Sequence, residues 1–266
     1  MAINVNAAGG GTGGAALRSI TTGSGGTITV ATDTGGNTTG GSITQTAATL
    51  LNAGTGSVAL STPTSGASGI GAVGVPVLTT ADTITAAAGS GGVFITETNG
   101  ANFSATATGA GPITLTSTTG TLTVATPIST GSGAITLASG DAVTLNANVG
   151  GGSGTVTINT NTNGAGADTF TMNPGSSITT GNATGRSSRD QRERGGGGTG
   201  GAALQSITAG SGGTIRVATN TGANTTGGSI TQAAGTLLNA GAGTVALLTP
   251  GGSKHQRHRD DREQTS

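Results

Sequence analysis

The sequence predicts an all-β fold, a right-handed parallel β-helix (solenoid) with coils of about 20–22 residues. Three observations predict it. Short segments alternate strictly between apolar and polar residues, among them Thr27-Ile28-Thr29-Val30, Ile113-Thr114-Leu115-Thr116, Ile135-Thr136-Leu137 and Val156-Thr157-Ile158. Period-two alternation marks a strand with one buried face, and β-branched residues suit it. Equivalent apolar positions then recur 20–22 residues apart: Ile28 to Leu50, Val93 to Ile113, Ile113 to Ile135, Leu122 to Val143, Ile135 to Val156 and Val156 to Ile178. At that spacing the 266 residues make about 12 coils. The third observation is composition. Of 266 residues 54 are Gly and about as many are Thr, with three Phe and no Trp, Tyr or Cys. Such a chain cannot fill a wide core, but a thin stack of Ile, Val, Leu and Ala needs no large side chain.

The elements follow in order along the chain. Residues 9–63 return at 196–250 with a constant offset of 187 and ten differences in 55 positions. Leu17, Ile20, Ile28, Val30, Ile43, Leu50, Leu51, Val58 and Leu60 all have identical counterparts, so the apolar positions are the ones kept. Gly, Ser, Asn and Asp clusters between the alternating segments supply turns. Hairpins are disfavoured, because they normally need two-residue turns such as Asn-Gly, and Asn99-Gly100 and Asn163-Gly164 are the only Asn-Gly pairs. The expected organisation is β-helix repeats over 1–184, a charged linker or out-of-frame segment over 185–195, a second copy of the block as β-helix over 196–252, and a disordered charged tail over 253–266.

The segments SGAITLASGDAVTLNANVGGGSGTVTINT, GADTFTMNPGSSITTG and the twice-occurring GGSITQ…LLNAG resemble the passenger domains of bacterial filamentous-haemagglutinin-like and autotransporter adhesins, the "β-strand repeat" surface proteins. The resemblance covers nearly all of the chain outside the charged clusters. It implies a structural stalk or adhesin-type repeat segment of a larger secreted or surface-exposed protein, located outside the cell or on its surface. The start, MAINVNAAGGGTGG, has neither the basic nor the apolar region of a signal peptide. The implied partner is an unknown host or surface receptor, with self-association along the solenoid ends and no membrane insertion by this segment. An orphan repeat fragment without selected function and an ice-binding Thr-rich β-solenoid are the alternatives.

The residues point away from catalysis, cofactors and metals. Two short stretches, Arg186–Arg194 and Lys254–Glu263, hold eight of ten basic and five of ten acidic residues. The body keeps Arg18, Arg216, Asp33, Asp82, Glu97, Asp141 and Asp168 and has no His, so acid–base pairs are not readable. Asp82, Asp141 and Asp168 stand just before strands, where an Asp caps a turn. Asp82 and Asp141, 59 residues apart, fall near three coils from one another. His255 and His258 lie in a polar terminus rather than a metal-binding tract. Gly9–Gly14 and its copy at 196–201 lack the Lys of a phosphate loop. The basic clusters carry Asp and Glu too, and without Tyr or Trp to stack on bases no nucleic acid is expected as a partner. Thr-x-Thr pairs at 27/29, 83/85, 114/116, 121/123, 155/157 and 169/171 are the one pattern that suggests an ice-binding face.

Out of frame, GC-rich codons for Gly-Ala-Ile-Thr read as Ala-Arg-Ser or Arg-Asp-His, the vocabulary of both charged clusters. Whether linker or frameshift, unpaired Arg-rich backbone is open to protease. Limited trypsin digestion is expected to cut first within 186–194 and in the tail; first cuts at Arg18 or Arg216 would reject this division of the chain.

Overall fold

A computed structural model describes residues 1–5, 11–32, 40–164, 166–181, 200–210, 212–219, 228–249 and the backbone of 252–254. Among the described residues every regular element is a strand, and the 27 strands are numbered here in chain order. One sheet follows the path β1 (Ala2–Asn4), β4 (Thr27–Ala31), β7 (Ser57–Ser61), β10 (Thr83–Ala88), β12 (Ala101–Ala107), β14 (Leu122–Thr130), β16 (Val143–Leu145), β19 (Phe170–Met172), β21 (Ala202–Leu204) and β24 (Ile230–Gln232). Beside it run β17 (Val149–Gly150), β20 (Ser177–Thr179), β22 (Ser206–Thr208) and β25 (Leu238–Asn239). The second sheet follows β18 (Val156–Asn159), β15 (Ile135–Ser139), β13 (Ile113–Ser117), β11 (Gly92–Glu97), β8 (Gly69–Ile70), β5 (Ile43–Gln45) and β2 (Ala15–Leu17), with β3 (Ile20–Thr21), β6 (Leu51–Asn52) and β9 (Val77–Thr80) alongside. A three-stranded sheet holds β23 (Thr214–Ala218), β26 (Thr244–Thr249) and β27 (Gly252–Lys254).

Pairing between strands is parallel except for β26 with β27. The fold is therefore all-β with parallel strands in stacked sheets, an arrangement compatible with a β-solenoid. The expected period holds in the middle of the chain. Val93 pairs with Ile113, Ile113 with Ile135, Leu122 with Val143 and Ile135 with Val156. It fails toward both ends. Ile28 pairs with Val58, 30 residues on, rather than with Leu50. Ile178 pairs with Val149, 29 residues back, rather than with Val156. The reason is longer connections: near the start the second-sheet face, which β11, β13 and β15 cross without interruption, is broken into β5 and β6 or β8 and β9, and farther on ten residues, 160–169, separate β18 from β19 where three separate β15 from β16. Longer rungs leave fewer of them: the first sheet counts ten along its path, not twelve.

The two copies of the repeated block also land differently. Ala15–Leu17 and Ile43–Gln45 lie in the second sheet, whereas their duplicates Ala202–Leu204 and Ile230–Gln232 lie in the first. Two successive described passes, β19–β20 and β21–β22, fall on the same sheet, which inverts the face that the second copy uses. Between them lies Arg186–Arg194, outside the described residues, as are His255, His258, Asp33 and most of the charged tail.

Inward residues stack in columns. Ile28, Val58, Ile84, Phe103, Val124 and Leu145 follow one another in register, each 2% exposed or less. At one corner the stack is made of glycine. A Cβ on Gly133 would strike the carbonyl oxygen of Gly111, and one on Gly154 that of Gly133. Here Gly serves close approach of backbone to backbone rather than a special φ. Gly133→Val is expected to lower stability by roughly 1–3 kcal/mol through overpacking, and Ile135→Asp to abolish the β-type circular dichroism spectrum, because a charge in the dry stack costs several kcal/mol. Wild-type melting of both variants would contradict the stacked arrangement.

Candidate functional site

The chemistry-bearing groups of the body gather at the corner that follows each second-sheet strand. Alternation along β11 puts Glu97 on the same inward face as Val93 and Ile95, and it is fully buried. Its register partners are Thr79 and Ser117, and Ser117 is followed by Ser139, so one inward column is polar from rung to rung. Thr79 Oγ1 donates to Glu97 Oε2 at 2.5 Å, and the amides of Ala81 and Asn99 donate to Oε1 at 3.2 and 3.4 Å. Ser117 Oγ donates to the carbonyl of Thr119 at 2.6 Å, and Ser139 Oγ to that of Gly120 at 2.8 Å. These side chains satisfy corner backbone that no ladder reaches.

Asp141 works across rungs. Its Oδ2 accepts the Gly120 amide at 2.7 Å and its Oδ1 accepts Asn163 Nδ2 at 3.1 Å, tying the corner below to the corner above. That agrees with the turn role expected for it. Burial, and after it the negative charge of Asp141, push the Asp168 carboxyl up. Asp82 precedes β10 and Asp141 precedes β16, three rungs along the sheet path, which places them about 14 Å apart in height. Proton relay between them is thus out of reach. Among the described residues no group of three or more His, Cys, Asp or Glu is close enough to hold a metal ion, and no helix is long and apolar enough to cross a membrane.

The threonine pairs separate. Thr27 and Thr29 lie in β4 and Thr83 and Thr85 in β10, with Ser57 and Ala59 of β7 between them. Thr114 and Thr116 lie on the other sheet, beside Thr136 and Ala138. Thr121, Thr155 and Thr169 precede their strands. Two unbroken adjacent ranks of Thr are therefore not formed by these pairs. Sequence reasoning passed over Glu97 and Gln45 as parts of the core, although alternation in Val93-Phe94-Ile95-Thr96-Glu97 and Ile43-Thr44-Gln45 aims both inward. Comparison with family models, with curated proteins and with solved structures returns no match.

Burial raises the Glu97 carboxyl above its ordinary value, outweighing the Thr79, Ala81 and Asn99 donors that lower it. The folded state therefore holds this proton more readily than the unfolded chain, so the associated stability is present at low pH and is lost as pH rises through the folded value. Melting temperature measured against pH for wild type and Glu97→Gln isolates the effect. Acidification from pH 7 toward the ordinary carboxyl range is expected to favour wild type relative to the variant; parallel profiles would contradict it.

Proposed function

We propose that the chain is a closed, right-handed parallel β-helix that serves as a structural stalk or adhesin-type repeat segment of a secreted or surface-exposed bacterial protein, without catalysis. The observation that supports this reading is the unbroken run of ten neighbouring strands along one sheet. Each rung adds about 4.8 Å, so nine steps span roughly 43 Å. A rod of this kind holds whatever lies beyond it at a fixed distance from its anchor, and its length scales with rung number. The resemblance to β-strand repeat surface proteins supplies the location, and the receptor is a molecule of the host or of another surface.

A stalk is judged by reach, so the test shortens it. Ala101, Leu122 and Val143 are successive register partners, and deleting 101–142 joins Gly100 to Val143 with two rungs removed. The shortened chain is expected to stay folded, and its maximum dimension by small-angle X-ray scattering to fall by roughly 10 Å. Displayed between a membrane anchor and a binding module, it should bring that module closer by the same amount. Ice-crystal growth is expected to be unaffected by the protein. Unchanged reach after the deletion, or surface adhesion lost on replacing outward Thr83 and Thr144 alone, would reject the stalk.

A further inference from the structure

The internal duplication gives one rung in two settings. In the first copy, Ile43 and Leu51 are fully buried beneath the next rung, which pairs Ile70 with Ile43, Thr79 with Leu51 and Thr80 with Asn52. Gln45 clasps that rung: its Oε1 accepts the Leu78 amide at 2.6 Å and its Nε2 donates to the Leu78 carbonyl at 3.4 Å. In the second copy the same sequence forms β24 and β25, but no described strand pairs on their outer edge. Ile230 and Leu238 are only half-buried, and Leu237 is 57% exposed. Gln232, the counterpart of Gln45, folds back onto its own turn, its Nε2 donating to the Thr236 carbonyl at 2.8 Å and to Thr236 Oγ1 at 3.2 Å. β27 runs along β26 and not along this edge.

We infer that the outer edge of β24 and β25 is a docking site for an incoming extended segment of another polypeptide with the chemistry of residues 67–81, added as a parallel strand pair. The first copy supplies the template. An Ile opposite Ile230, a Thr-Thr pair opposite Leu238 and Asn239, and a backbone amide and carbonyl for the Gln232 side chain reproduce the contacts described for the first copy. Main-chain hydrogen bonds give such an addition its affinity, and the spacing of the inward side chains gives it its register. An apolar edge that no described strand covers is a place for an added strand to pair. The inference rests on the stacked-rung reading and adds a partner to it.

The probe is a labelled synthetic peptide of residues 67–81, titrated against the full chain by fluorescence anisotropy. Saturable one-to-one binding is expected, with none for a scrambled peptide. Gln232→Ala is expected to weaken binding about tenfold, from the loss of two hydrogen bonds, and Leu238→Lys to abolish it, with circular dichroism confirming that both variants stay folded. Absence of saturable binding, equal binding of the scrambled peptide, or full binding by both variants overturns the site. Dimers of the full chain that vanish in Leu238→Lys would assign the edge to a second copy and overturn the separate segment. A retained β-type spectrum alongside failed binding rejects the docking site alone and leaves the rod in place.

Discussion

Parallel backbone hydrogen bonds set each rung about 4.8 Å above the last, and every other feature of the chain answers to that distance. Corners must approach as closely as strands do, so Gly111, Gly133 and Gly154 stack where any Cβ would strike a carbonyl. Inward side chains must fit directly above one another. Phe103 is accommodated between Ile84 and Val124, and Phe170 between Val143 and the small Ala202. A core built this way is long and thin, which is why a sequence so poor in aromatic residues can still exclude water.

The same distance explains the few polar groups inside. Where a strand ends and the corner begins, backbone amides and carbonyls leave the ladder, and Thr79, Glu97, Ser117 and Ser139 supply hydrogen bonds there. A carboxylate at such a place costs desolvation, and the donors around Glu97 offset only part of it. Asp141 achieves a similar linkage from outside the core by bridging corners on either side of its own rung.

Much of this was legible in the sequence, for reasons that also mark where legibility ended. Alternation identified the strands, and in Ile113, Ile135 and Val156 it also identified their stacking partners, because each face there is one continuous strand. At Leu50-Leu51 alternation says that one of two leucines points inward without saying which. The structure turns Leu51 inward to pair with Ile20, 31 residues back, whereas the expected 22-residue spacing matches Leu50 with Ile28. The inversion of the repeated block depends on how many passes separate the copies, a parity that local pattern does not encode. Asp141 was recognisable as a turn residue, but its partner at Gly120 is a backbone amide and leaves no trace in residue type.

The central claim is the register of the stack, and the absence of native cysteine allows it to be read directly. Outward register partners lie about 4.8 Å apart at Cα, within the range that a disulfide spans. Thr136 and Thr157 are such partners in the short-rung region, and Thr27 and Ser57, whose hydroxyl oxygens lie 3.1 Å apart, are such partners in the long-rung region. Under mild oxidation the double variants Thr136→Cys/Thr157→Cys and Thr27→Cys/Ser57→Cys should each form an intramolecular disulfide rapidly, while Thr27→Cys/Thr49→Cys, set at the 22-residue spacing, should not. Rapid closure of the Thr27/Thr49 pair, or failure of both register pairs, would contradict the account.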